Sequence, residues 1–243
     1  MIRSAWFAVV TVAATAWYSI RAIIGGVRRA PPGTFDSVQR EWADALLRAS
    51  GVRVRVEGQE NLPSREGAIL VANHQSNFDI FALLASLPVP IRFVAKQELS
   101  RIPLLAQAMR SAGHVFIDRS DRRGSVAAMR AAAARMREEG ICLGLFPEGT
   151  RSRDGRLGSF KKGSFVLAIE TGLPIVPIAL DGGWKLAHGR GIRPGEVRIR
   201  VGDPIATEGR TIRDRDLVLE QVHESVAGLL RSLREESGDP TAL

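Results

Sequence analysis

Two short apolar runs, each ending in a polar string, constrain this chain more than any other feature. Ala68-Ile69-Leu70-Val71-Ala72 leads into Asn73-His74-Gln75-Ser76-Asn77-Phe78-Asp79, and Ile141-Cys142-Leu143-Gly144-Leu145 leads into Phe146-Pro147-Glu148-Gly149-Thr150-Arg151-Ser152. Such runs read as strands buried within a sheet, and the ends of strands in α/β sheets are where sites form. Comparable patterns predict strands over 52–56, 68–72, 91–95, 115–118, 141–146, 175–180 and 197–201. Between and around them, helices are predicted over 35–49, 77–86, 103–111, 125–139, 162–171 and 213–234. The last carries Leu219, Val222, Val226, Leu229 and Leu233 at spacings of three and four, the period of a helix with one apolar stripe. The expected fold is α/β: a mostly parallel or mixed sheet covered by helices on both faces, with an N-terminal membrane-associated helical segment. A chain of 243 residues is long enough for one sizeable core.

The N-terminal segment is separate in character. Ser4 to Ile20 is uncharged and mostly apolar, with Trp6, Phe7, Trp17 and Tyr18 near its ends, where interfacial aromatic belts would lie. As a helix this run rises roughly 26 Å, a little short of a ~30 Å hydrocarbon core. A spanning or re-entrant anchor, a signal peptide cleaved near Ala14-Thr15-Ala16, and a buried soluble helix are the three readings; the lack of charge argues against the last. Arg29-Ala30-Pro31-Pro32-Gly33 separates it from the rest of the chain, so residues 1–30 are expected as a membrane anchor and 31–240 as the main domain. Net charge is +8, and Arg3, Arg21, Arg28 and Arg29 all precede the first acid, Asp36. That places positive charge where an anionic bilayer surface would meet the chain. If the segment spans, the arginine excess after it puts the main domain at the cell membrane on the cytoplasmic side.

Several chemistries are excluded early. His74, His114, His188 and His223 are scattered and have no cysteine partners, so no metal site is expected. The lone Cys142 sits inside an apolar run, which marks a core residue, not a nucleophile. The arginine-skewed charge is spread along the chain with no aromatic-rich basic patch, so no nucleic-acid partner is expected.

The first polar string supports acid–base chemistry. His74 and Asp79, five apart, would point about 140° apart on a helix and to opposite sides of a strand, so they meet only if the backbone turns. Ser76 followed by Asp79 is a capping-box-like start of a helix, which supplies the turn. His74 then sits in the preceding loop, Asp79 reaches back to one ring nitrogen, and the other is left to take a proton from an alcohol. The plainer alternative is a capped helix with an incidental loop histidine.

In the second string, Gly149 permits close backbone approach, Thr150 and Arg151 offer donors to anionic oxygens, and Glu148 can orient a hydroxyl or hold an arginine. Gly113-His114-Val115-Phe116-Ile117-Asp118-Arg119 reads as a strand with a charged end whose Arg119 can grip a phosphate. Lys96, closing another strand, and Lys161-Lys162 are further anion-binding candidates. Leu173-Pro174-Ile175-Val176-Pro177-Ile178 holds two prolines in an apolar strand, which predicts an edge, a bulge or the wall of an apolar groove.

These four strings, in this order, resemble the glycerolipid acyltransferase family, and more narrowly bacterial 1-acyl-sn-glycerol-3-phosphate (lysophosphatidic acid) acyltransferases. Asn73 to Asp79 matches N-H-x-S-x-x-D, Gly113 to Arg119 matches G-x-x-F-I-D-R, Phe146 to Ser152 matches F-P-E-G-T-R-S, and Leu173 to Ile178 matches a proline-bearing apolar block. The resemblance extends over roughly residues 50–205. It implies transfer of a fatty acyl group from an acyl-CoA or acyl carrier protein thioester to the free hydroxyl of lysophosphatidate, giving phosphatidic acid. His74 would be the general base and Asp79 its orienter. Arg119, Glu148, Gly149 and Arg151 would hold the glycerol phosphate, with Asn73, Ser76, Lys96 and Thr150 also expected at the substrate. Membrane lipid would be the setting, and no cofactor, metal or covalent acyl-enzyme is implied. Family relatives acting on another lysolipid, ornithine-lipid or glycolipid, and a thioesterase in which water replaces the alcohol, are the alternatives.

Overall fold

The computed structural model describes residues 2–64, 67–117, 124, 131–132, 135, 137–188 and 191–238. Two helices come first, α1 (Ile2–Val27) and α2 (Pro32–Ser50), followed by β1 (Val52–Glu57), β2 (Ile69–Ala72) and α3 (Phe78–Ser86). Then come β3 (Ile91–Lys96), α4 (Leu105–Ser111), β4 (Val115–Ile117), β5 (Cys142–Leu145), α5 (Gly163–Thr171) and β6 (Ile175–Asp181). A single turn, Gly183–Leu186, and a small ribbon of β7 (Ala187–His188) and β8 (Gly191–Ile192) precede β9 (Gly195–Val201) and the long C-terminal α6 (Arg215–Glu236). The sequence-predicted helix over 125–139 and the end of the strand at Asp118 fall largely outside the described residues, as does Arg119.

The seven main strands run in the order β1-β9-β6-β2-β5-β3-β4. All neighbours are parallel except β6 and β9. The sheet is therefore mixed, and β6, β2, β5 and β3 all deliver their C-terminal ends to one edge. The apolar runs have no polar alternate because both faces are covered. Leu70 and Ala72 pack with Ala43 and Leu47 of α2 and Ala82 and Leu83 of α3. Ile69 and Val71 face the other way, onto Phe165 and Leu167 of α5 and Val218, Val222 and Val226 of α6. Ile69 and Leu143 are fully buried, and each such side chain contributes about 1.5–3 kcal/mol relative to exposure.

The two-proline strand departs from expectation. β6 is an interior strand, between β9 and β2. Pro177 is tolerated because β9 ends at Val201 and the chain turns away opposite it: Gly202 donates its N–H to the Pro177 carbonyl at 2.8 Å. The N–H that proline lacks would face this turn, beyond the end of the ladder with β9.

α1 lies against the domain along its length. Ser4 Oγ accepts the Ile192 amide at 3.2 Å, the Phe7 ring is 5.9 Å from Phe78, the Trp42 indole donates to Thr15 Oγ1, and Arg21 pairs with Glu41. Further on, Ala22 packs with Phe35 and Val38 of α2 and Ala108 of α4. The opposite face carries Trp6, Val9, Val12, Trp17, Ile20, Ile24 and Val27, all exposed, with Val27 reaching 80%. Among the described residues this is the one helix long and apolar enough to cross a membrane.

Candidate active site

At the edge where β2 and β5 end, the two polar strings meet. Ser152 donates its amide to the His74 carbonyl at 2.8 Å, tying the loop after β5 to the loop after β2. His74 Nδ1 stands 2.8 Å from Asp79 Oδ2. The same oxygen accepts the amides of Gln75 at 2.6 Å and Ser76 at 2.7 Å. Asp79 is fully buried, and three donors converging on one oxygen satisfy it as a carboxylate. With the carboxylate accepting from Nδ1, the proton on that nitrogen leaves Nε2 as the acceptor. The imidazole is held flat by Phe146, whose ring is stacked at 4.0 Å, and Phe146 is itself stacked on Phe93 at 5.8 Å.

The capping pattern takes a slightly different form from the one expected. α3 begins at Phe78, with Ser76 Oγ accepting the Phe78 amide at 3.1 Å while Asp79 reaches back to the Ser76 amide. The return bond of a capping box, from the Ser76 amide to Asp79, is present, while the Ser76 hydroxyl takes the Phe78 amide instead of that of Asp79; together they place Asp79 on the inner side of the first turn, under His74.

The other expected residues divide. Asn73 is buried, with its side chain donating to the Leu180 carbonyl at 2.8 Å and accepting the Leu180 amide at 2.7 Å. It splices β2 to β6 where their ladder ends, and both its polar groups are used by the backbone, so it is not presented to a substrate. Ser76 is likewise buried in the cap. Thr150 and Arg151 are exposed, and Arg151 Nη1 donates to Asn77 Oδ1 at 3.1 Å, across the mouth between the two loops. Gly149 has φ +72°, and a Cβ there would sit 2.6 Å from Lys161 Nζ, so the glycine lets a lysine lie over this loop. Lys162 instead pairs with Asp216 at 3.0 Å. Lys96 closes β3, in register with Ile117 of β4.

Glu148 is buried beneath the loop, its Oε1 accepting the Gly158 amide at 3.3 Å. Burial pushes its carboxyl up to about 7, against the opposing pull of amides from Gly158 and His74, with the Asp79 charge adding to the rise. It is a carboxyl able to hold or release a proton near neutrality. Among the described residues no group of acidic, histidine and cysteine side chains is arranged to hold a metal. Cys142 is buried, and burial raises its thiol to about 11, consistent with a core residue.

Several residues around the site escaped the sequence reading. Asp181 closes β6, Gly183 comes two residues after it, and Arg234 bonds both Asp181 and the Gly155 carbonyl. Their only sequence signal was the Asp-Gly-Gly that ends an apolar run.

The chain has relatives among known proteins. A family model described as Acyltransferase matches residues 53–181. The 1-acyl-sn-glycerol-3-phosphate acyltransferase of Limnanthes douglasii is 37% identical over 177 residues, covering 72% of this chain and 62% of that protein. The alpha form from Homo sapiens is 31% identical over 185 residues, covering 75% and 65%. The chain thus spans just under two thirds of the length of these curated relatives. The crystal structure of the 1-acyl-sn-glycerophosphate (LPA) acyltransferase PlsC from Thermotoga maritima superposes with a TM-score of 0.82 at 28% identity, covering 96% of this chain and 95% of that one.

Proposed function

Because this chain belongs to the acyltransferase family, we propose that it transfers a fatty acyl group from a thioester to the free hydroxyl of 1-acyl-sn-glycerol-3-phosphate, forming phosphatidic acid. The observation that carries the proposal is the His74 Nδ1 to Asp79 Oδ2 contact of 2.8 Å at the mouth formed by two adjacent parallel strands. The plant and human relatives and the PlsC structure support the choice of acceptor.

His74 Nε2 takes the proton from the acceptor hydroxyl as its oxygen attacks the thioester carbonyl. Asp79 stabilises the imidazolium that forms. Collapse of the tetrahedral intermediate breaks the C–S bond, and the leaving thiolate receives the proton from His74, which returns the base to its starting state. No enzymatic nucleophile is required, and the proton count closes. Arg151 and Lys161, at the same mouth, supply positive charge for the acceptor phosphate or for phosphates of the donor. Coenzyme A and acyl carrier protein are both anionic, so either suits this mouth as the donor.

α1 serves in this reading as an in-plane membrane element. Its inner face is committed to the domain from Ser4 to Ala22, so crossing the bilayer would require breaking those contacts. Its outer stripe, followed by Arg28 and Arg29, suits the interface of an anionic leaflet, where lysophosphatidate resides. The cytoplasmic leaflet of the cell membrane is the setting this implies.

The test is release of free thiol from palmitoyl-CoA or palmitoyl-acyl carrier protein by the detergent-purified chain, with and without lysophosphatidate, for wild type and His74→Ala. Release that requires lysophosphatidate and is lost in the variant is the expected result. Release without acceptor would identify a thioesterase, and full activity of the variant would remove His74 as base.

A further inference from the structure

A buried charged triad lies behind the His74–Asp79 pair. Asp181, the last residue of β6, is 1% exposed. Arg198 of β9 reaches it at 2.8 Å and Arg234, from the last turns of α6, at 3.2 Å. Arg234 also donates to the Gly155 carbonyl at 2.6 Å, and Arg198 to the Leu233 carbonyl. Such triads are weak contributors to stability, since apolar groups of similar volume often serve as well. What the triad does here is hold one point of the backbone.

That point is two residues from the glycine that packs on the carboxylate orienting the base. The chain leaves Asp181 through Gly182, at φ +92°, where a Cβ would lie 2.3 Å from the Glu196 carbonyl oxygen. It then presents Gly183, where a Cβ would lie 2.6 Å from Asp79 Oδ1, 2.9 Å from Ser76 Oγ and 3.5 Å from Gln75 Cβ. Asp79 Oδ2 receives three close donors, whereas Oδ1 has the Ser76 hydroxyl at 3.4 Å. On the Oδ1 side the carboxylate thus lies so close to Gly183 that there is no room for a Cβ between them. The Gln75 side chain fills the remaining gap, at the long limit of hydrogen bonding to Asp181, Gly155 and the Trp184 amide.

We propose that Arg234 and Gly183 are positioning residues of the reaction. Arg234, together with Arg198, pins Asp181. The pinned turn sets Gly183 against Asp79, and the carboxylate stays on His74 Nδ1. The C-terminal helix, through Arg234, thereby takes part in aligning the base. This inference rests on the base-and-orienter reading of His74 and Asp79.

The experiment is a pair of double-mutant cycles on the full chain in detergent, using whichever palmitoyl thioester supports wild-type turnover. Gly183→Ala adds one methyl against Asp79 at a position where the backbone accepts it. Arg234→Lys keeps the charge but cannot bridge Asp181 and Gly155 together. Each is made in wild type and in Asp79→Asn, with thermal unfolding followed alongside. Gly183→Ala is expected to lower kcat roughly 10- to 100-fold in the wild-type background, part of the 10²–10⁴ that a positioned base supplies. In the Asp79→Asn background it should lower kcat by less than about twofold. Arg234→Lys should show a smaller loss with the same dependence on Asp79. Equal losses in both backgrounds would mean a merely structural role and would overturn the proposal. A wild-type kcat for Arg234→Lys would remove Arg234 from it. Full activity of Asp79→Asn itself would instead bring down the base reading, and the proposal with it.

Discussion

Phe146, the first residue of the second loop, stacks on His74 of the first with ring centroids 4.0 Å apart and planes 16° from parallel. The His74 imidazole is thus held from two directions, by Asp79 at Nδ1 and by Phe146 against the plane of the ring. Replacing Phe146 by Leu keeps an apolar side chain but removes the flat face. Small errors in the placement of a base are costly, so kcat should fall roughly 10- to 100-fold while KM for both substrates changes little. Steady-state kinetics at saturating thioester would check this, and an unaltered kcat would show that the stack is packing alone.

Arg151 crosses from one loop to the other through Asn77 and remains exposed at the mouth. A charge-assisted hydrogen bond to phosphate contributes about 1.5–3 kcal/mol. Arg151→Ala should therefore raise KM for lysophosphatidate roughly 10- to 100-fold with a smaller change in kcat. The same KM shift with an uncharged monoacylglycerol acceptor would argue against phosphate binding.

Glu148 links pH to stability. Burial raises its carboxyl from 4.5 to about 7. Between those values the folded chain keeps a proton that the unfolded chain has released, so folding stability declines as pH rises through this window and levels off above it. Glu148→Gln removes the titrating group. Denaturant unfolding at pH 5 and pH 8 should show a drop for wild type that is much reduced in the variant. Equal drops in both proteins would assign the pH dependence elsewhere.

Asn73 stabilises the sheet. Asn73→Ala would leave the Leu180 amide and carbonyl without their side-chain partner in a buried position. The cost should be about 2–4 kcal/mol of stability, read as a lower unfolding midpoint, with KM values unchanged for the folded fraction. A raised KM at unchanged stability would restore the substrate contact expected from sequence.

The outer face of α1 should govern membrane binding independently of folding. Val12→Asp and Ile24→Asp replace exposed apolar groups, so partition onto phosphatidylglycerol-containing vesicles should fall roughly tenfold or more for each, with the unfolding temperature in detergent unchanged. Undiminished vesicle binding would remove α1 as the docking element.

Much of the site was legible because its chemistry is local. His74 and Asp79 are five residues apart, and Ser76 and Asp79 hydrogen-bond within one helical turn. Short-range geometry of this kind arises from backbone dihedrals and capping preferences, which the residue types themselves carry. The apolar runs likewise announced double-sided burial, and each predicted strand among the described residues lies within a residue or two of its observed bounds.

Residue types and their spacing thus dictated which segments form strands, where the strands end, and the contact between His74 and Asp79. Long-range packing settled the remainder. Asn73 turns inward because Leu180, 107 residues away, lies on the neighbouring strand. Pro177 sits inside the sheet because β9 ends beside it. Gly183 meets Asp79 because Arg198 and Arg234 hold Asp181 in place. Each of these contacts depends on strand order. Strand order comes from the packing of whole elements against each other, and no local preference of the residues at either end of such a contact specifies it.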